Sequence, residues 1–141
     1  MIGQHLLTFA KRLGIDHADI EVLVEVLEVL NLQPRESLEQ QDAAELSAGY
    51  LRSRYTMASN KAERDYHVQR GKLRAAMRDE WTSPRGKVDE GLSDAVEGSL
   101  LEARDERERA VALSDLLRGL YWTVSKRRIS LGILLGRRDE D

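Results

Sequence analysis

The sequence predicts an all-α protein: a long antiparallel helical hairpin with an N-terminal helical pair and a C-terminal helix, assembled into a helical oligomer. Three observations favour this fold class. The 141 residues include only two prolines, while 33% are charged and 41% hydrophobic, a balance that suits long helices. Apolar residues recur three, four or seven positions apart over most of the chain, as they do on one face of a helix. A break at residues 82–87 separates two long helical segments, so we expect these to fold back on each other.

Residues 1–33 form the N-terminal element, with two predicted helices. The apolar spacing of residues 2–13 is helical, and Gly14 is a natural stop. Asp16 is placed to cap the second helix, which has an apolar heptad seam. A strand over Asp19–Val26 is the alternative, because β-branched residues favour strands, but the heptad spacing favours the helix.

So much apolar surface on a short helix needs a cover, supplied either by the rest of the chain or by another copy. We expect a homo-oligomer in which this seam and the C-terminal half hold the subunits together. The predicted interface residues are Ile20, Leu23, Leu27, Leu30, Leu117, Leu120, Ile129 and Ile133.

Residues 38–138 form the predicted hairpin domain. Pro34 disfavours helix just before it, and Ser37 with Gln40 resembles a capping box. The first long helix is predicted from Leu38 to Trp81, and the second begins with Val88. The apolar seam of the second helix comprises Leu92, Ala95, Ser99, Ala103, Ala110, Leu113, Leu117, Leu120 and Val124.

Charge is segregated along the two long segments. Between Tyr50 and Arg78 eight cations and two anions give +6, in a chain whose formal net charge is −3, so the other residues carry −9. From Asp89 to Glu108 there are eight acids against two arginines. The basic segment predicts a surface for a polyanion, which the acidic segment can partly neutralise.

Cations and aromatic rings are interleaved in the basic segment, a combination found at single-stranded nucleic-acid sites. The cations would contact phosphates, while rings stack on bases. Tyr66 also fits the helical seam, so its role stays ambiguous. The candidate nucleic-acid-binding residues are Arg52, Arg54, Tyr55, Lys61, Arg64, His67, Arg70, Lys72 and Arg74.

The sequence offers little for catalysis. His5, His17 and His67 lack metal-ligand spacing, no phosphate-binding glycine loop is present, and there are no cysteines. No apolar run approaches the roughly 18 residues of a membrane span, and the N-terminus is a poor signal peptide. We therefore expect a non-enzymatic, cytoplasmic protein with no metal, no other cofactor and no membrane association.

Three segments together carry a family resemblance: KAERDYHVQRGKLR (61–74), a connector leading into an acid-rich helix from Val88, and LYWTVSKRRISL (120–131). In their order and spacing, over residues 45–135, the chain resembles the UvsY-type recombination mediator proteins of tailed phages. The resemblance implies an oligomeric, all-helical accessory factor in the infected host cell. Such a factor binds single-stranded DNA, interacts with the phage recombinase and single-strand binding protein, and helps to load the recombinase.

The family's DNA-contacting basic residues fall on Lys61, Arg64 and Arg70 of this chain, and less closely on Lys72. Residues 16–32 and the net acidic charge depart from the family pattern. Two other functions stay open. A helical interaction protein, such as a phage inhibitor of a host defence complex, would engage an acidic protein surface through the basic face. A coiled-coil adaptor would need only the apolar seams.

Overall fold

Five helices make up the part of the chain that the computed structural model describes, which is residues 2–32, 38–84, 86 and 91–140, without the side chains of Ile2 and 135–140. The helices are α1 (Ile2–Arg12), α2 (His17–Leu30), α3 (Leu38–Met77), α4 (Gly91–Ser99) and α5 (Leu101–Glu140). The described residues contain no strand. The all-α prediction is therefore confirmed, and the segment from Asp19 to Val26 is helical.

The two 40-residue helices α3 and α5 pair as the predicted antiparallel hairpin. Positions seven apart on α3 meet positions seven apart on α5, which is the spacing of a coiled-coil seam. The contacts are Asp42 with Arg128, Gly49 with the ring of Tyr121, and Thr56 with Ser114. A methyl group at Gly49 would lie 3.5 Å from the Tyr121 ring, an ordinary van der Waals distance.

The two helix pairs share one core, although the sequence suggested separate elements at 1–33 and 38–138. Buried residues of α1, α2, α3 and α5 form a single apolar cluster. A second cluster, at the other end of α3, joins Tyr66 to Leu92, Val96 and Leu100. The N-terminal pair thus packs on one end of the hairpin and α4 on the other.

The oligomer assignment of four seam residues is corrected by this packing. Leu23, Leu27, Leu117 and Leu120 are all less than a tenth exposed in the single chain, because they pack in its shared core. Ile20 and Leu30 are half-buried against the same core. Of the eight predicted interface residues, Ile129 and Ile133 keep more than half of their surface exposed.

Element boundaries differ from the sequence prediction at two places. Helix α3 ends at Met77 rather than at Trp81. Just after this end, the Thr82 hydroxyl donates to the Arg78 carbonyl at 2.6 Å. The predicted second long helix is divided at Leu100 into α4 and α5. Val96 and Leu100 are buried in the core, whereas the sequence pattern had assigned Ala95 and Ser99 to it. The predicted features at Pro34, Ser37 and Val88 lie outside the described residues.

Helix α2 is held to the hairpin by hydrogen bonds at both of its ends. Asp16 is the N-cap residue, but its side chain makes no capping hydrogen bond and pairs with Arg54. At the other end, the guanidinium of Arg127 donates to the carbonyls of Leu30 and Leu32. These carbonyls lie at or just past the helix C-terminus, where a cation is favoured.

A buried carboxylate lies at the centre of the contact between α2 and α3. Asp19 is only 2% exposed, and its Oδ2 accepts a 2.6 Å hydrogen bond from the Tyr55 hydroxyl. The same oxygen lies 2.9 Å from Nη1 of Arg54, and the Tyr50 hydroxyl donates to Oδ1 at 3.3 Å. Burial and the hydrogen bond to Asp19 raise the pKa of Tyr55 far above its usual value, so the phenol stays a donor.

Tyr55→Phe is predicted to destabilise the protein by about 1–3 kcal/mol, because it removes a donor from a buried carboxylate. It also removes the acceptor of the Asp16 N–H, which lies 2.9 Å from the phenol oxygen. The measurement is urea unfolding followed by circular dichroism. Tyr50→Phe is the matched control: its ring is half-exposed and its hydrogen bond to Asp19 is longer, so a smaller loss is expected. Equal losses in the two variants would contradict the central role of Tyr55.

Candidate nucleic-acid interface

The second half of α3 presents a row of cations to solvent. Tyr55, Ser59 and Tyr66 are buried and fix the inward side of the helix, so positions on the opposite side point outward. We define the outer ridge as four exposed cations: Lys61, Arg64 and Lys72 of α3, and Arg78, the residue that follows its last turn. At 1.5 Å per residue the ridge is about 25 Å long.

Two exposed acids, Glu63 and Asp65, lie in the same stretch of α3 as the ridge cations. Within the described ranges, Lys61, Arg64, Lys72 and Arg78 form no ion pair. The acids at 102–108 of α5 are exposed, and one of them, Glu108, pairs with Arg104 of its own helix at 3.1 Å. No ion pair joins these acids to the ridge in the described part of the chain, so the two charged segments remain separate surfaces.

Arg70 and Arg74 are engaged in holding α4 against α3. Arg70 Nε lies 3.1 Å from Oε1 of Glu97, and Arg74 Nη1 lies 3.4 Å from the Ser93 hydroxyl. Both guanidinium groups lie beside the ridge and are partly or fully exposed. A phosphate that contacts Arg70 must share it with Glu97, so this residue is a weaker candidate than the four ridge cations.

Three of the nine predicted binding residues have structural roles instead. Tyr55 is 7% exposed, which leaves no ring face for a base, and Arg54 pairs with Asp16 and Asp19. Arg52 stacks its guanidinium over the Tyr121 ring at 4.7 Å. These three residues lie on the inner and lateral sides of α3, against α2 and α5. Sequence spacing alone did not show where α2 and α5 pack, so it could not separate these residues from the outward-facing ones.

Tyr66 belongs to the core, which resolves its ambiguous assignment. It is 4% exposed, and its hydroxyl donates to Oε2 of Glu97 at 2.5 Å. The guanidinium of Arg107 covers the ring at 4.2 Å. The hydrogen bond from Tyr66, assisted by Arg70, lowers the pKa of Glu97 below its usual range. His67, an edge-on neighbour of Tyr66 at 5.6 Å, is exposed and stays available for stacking.

An exposed tryptophan was missed by the sequence analysis. Trp122 on α5 is 52% exposed and lies beside Tyr121, with ring centroids 5.9 Å apart. The signal that could have found it is its position between Leu120 and Val124, which are both buried. A residue midway between two inward positions on a helix points outward.

The described residues contain no group of three histidine or acidic side chains that could hold a metal ion. None of the helices, as far as they are described, has an apolar stretch long enough to cross a membrane. Comparison of the chain with protein-family models, with curated proteins and with solved structures finds no match. The fold and the charged surface therefore carry the functional argument.

The Glu97 contacts predict an acid-dependent loss of stability. The pKa of Glu97 is lower in the folded protein than its ordinary value of 4.5. The ionised carboxylate therefore stabilises the fold at pH values above 4.5. That contribution is lost as the pH falls through the folded-state pKa. The wild-type melting temperature should fall more steeply between about pH 5 and pH 3 than that of Glu97→Gln.

Glu102→Gln is the control for that experiment. Glu102 is an exposed acid with no ion pair in the described part of the chain. This variant should keep the wild-type pH profile. If Glu97→Gln also kept it, the contacts with Tyr66 and Arg70 would contribute nothing to stability.

Proposed function

We propose that this protein binds single-stranded DNA through the outer ridge of α3 and acts without catalysis as a recombination mediator. The observation that carries the proposal is the row of four exposed cations, about 25 Å long, that form no ion pair in the described part of a chain whose net charge is negative. Elsewhere in the described structure, Arg54, Arg104 and Arg128 form ion pairs with acids. The ridge cations form none there, so their charge is directed at a partner outside the chain.

The preference for a single strand rests on the chemistry beside the ridge. A single strand presents its base faces, which imidazole and aromatic rings can stack on while cations contact the phosphates. His67 is exposed between Arg64 and Lys72 and fits this arrangement. In a duplex the base faces are buried in the stack, and only groove edges and phosphates can be contacted.

The mediator role comes from the resemblance to the UvsY-type proteins. The segment 61–74 that carries the resemblance also contains three of the four ridge cations, and the all-helical fold agrees with the one the family implies. A recombinase and a single-strand binding protein are the partners that this role requires. The location that follows is the cytoplasm of the infected host cell.

Assembly of several copies would strengthen such binding. Four phosphate contacts per chain give only weak affinity at physiological salt, whereas a homo-oligomer places several ridges along one strand. Ile129 and Ile133 are the predicted interface residues that remain exposed, and they are the candidates for contact between copies.

A helical interaction protein is the second candidate function. Leu46 is 77% exposed on α3, near Tyr121 of the neighbouring helix, and large exposed apolar groups favour protein contacts. In that case the ridge would engage an acidic protein surface, and free DNA would be ignored.

Replacing Lys61, Arg64 and Lys72 together with glutamine is predicted to weaken binding to an oligo-dT strand strongly. Each lost phosphate contact lowers the slope of log affinity against log salt by about 0.7, so the slope should fall by about 2. The measurement is fluorescence anisotropy of a labelled oligonucleotide at several salt concentrations, with a duplex of equal length for comparison.

The control variant removes three other exposed cations, Lys11, Arg12 and Arg109, and so has the same net charge as the ridge variant. It should retain the wild-type slope. Equal losses in both variants would show a non-specific charge effect. Absence of binding by the wild type even at low salt would refute DNA binding and favour the interaction protein.

A further inference from the structure

The side chain of Trp122 lies at the surface of α5, and the hairpin does not need it for packing. Its neighbours Leu120 and Val124 are buried and supply the contacts of this part of α5 with the core. The indole itself is half-exposed beside Tyr121. A large aromatic ring held at the surface of a helix is available to a partner.

The indole is surrounded by cations. Arg118 and Lys126 are exposed and lie one helical turn before and after it, each about 6 Å away along the helix axis. Neither forms an ion pair within the described ranges. The guanidinium of Arg52 reaches over from α3 and lies 5.9 Å from the centre of the indole ring.

This arrangement has the two components of a single-strand contact. An exposed ring offers a stacking surface to any base, and cations on both sides of it can hold the adjacent phosphates. The stacked guanidinium of Arg52 limits the movement of the aromatic pair and adds positive charge. Tyr55 and Tyr66, the rings expected from the sequence to stack on bases, are buried and cannot do so.

The surface around Trp122 is separate from the ridge. Arg52, which contacts the indole, precedes Lys61 on α3 by nine residues, which corresponds to about 14 Å along the helix. Nine residues also make two and a half helical turns, so Arg52 and Lys61 lie on opposite sides of α3. A strand must therefore pass around the helix between the ridge and the indole.

We infer that Trp122 is a base-stacking subsite for single-stranded nucleic acid, with Arg118 and Lys126 as its phosphate contacts. The inference rests on the proposed function, since it extends the DNA path from α3 to α5. The stack is sequence-tolerant, because every base has an aromatic face.

The test uses the fluorescence of Trp122 in the full-length protein. The chain has two tryptophans, so Trp81→Phe leaves Trp122 as the single reporter. Addition of an oligo-dT strand should quench its emission, and a strand of equal length made of abasic sites should quench it much less. Binding of both strands without quenching by oligo-dT would overturn the subsite while leaving binding to the ridge intact.

Affinity variants test the same subsite independently. Trp122→Leu should weaken oligo-dT binding by about 5- to 150-fold, the range of one stacked base. It should leave the salt slope unchanged, because no phosphate contact is lost. Trp122→Phe should restore most of the affinity. Phe9→Leu, at an exposed aromatic residue of α1, is the control and should bind as the wild type does.

Sedimentation measurements separate stacking from contact between copies. One outcome is that Trp122→Leu and Ile129→Ala both reduce the mass of the assembly and that neither changes the affinity per assembled unit. The indole would then belong to an interface between copies, and the inference would be wrong. If the wild type bound no single strand at all, the proposed function would fail together with the subsite.

Discussion

Asp19 is a carboxylate buried at the contact between α2 and α3, and the position of the N-terminal helices depends on how its charge is compensated. Burying an ionised group is costly unless it is paired and hydrogen-bonded. Here Tyr55, Tyr50 and Arg54 all bond to it. The N-terminal location of Asp19 in α2 adds a favourable interaction with the helix dipole. The same contacts engage Arg54 and Tyr55. The predicted binding site loses these two residues because they pair with the buried charge of Asp19.

The hairpin provides the surface on which the remaining cations are arranged. A constant spacing of seven residues holds α3 and α5 in register from Asp42 to Thr56. Beyond Thr56, the ring of Tyr66 on α3 contacts Arg107 of α5, and its hydroxyl donates to Glu97 of α4. Because the inward side of α3 is filled by these contacts, Lys61, Arg64, Lys72 and Arg78 are left on the outward side. The packing of the core therefore determines which charges a partner can reach.

Acidic residues have two different roles in the structure. Asp19 and Glu97 pair with cations of α3 and hold helices together, whereas exposed acids of α5 make no ion pair with α3 in the described part of the chain. The net charge of −3 is thus a poor guide to the potential at the ridge. Exposed charges more than about 10 Å apart are largely screened at moderate salt, so a local basic surface can attract a polyanion although the whole chain is acidic.

Local patterns in the sequence determined the helical class, the hairpin and the segregation of charge, because apolar spacing and breaker residues act over a few positions. They also placed Leu23, Leu117 and Leu120 on apolar seams, but could not tell whether a seam faces the same chain or a second copy. Only the tertiary structure decided that these leucines fill one shared core, that Arg54 and Tyr55 serve the buried Asp19, and that Trp122 is exposed. The physical reason is that burial and charge pairing depend on residues distant in the chain, such as Asp19 and Tyr55, whose proximity no local spacing encodes.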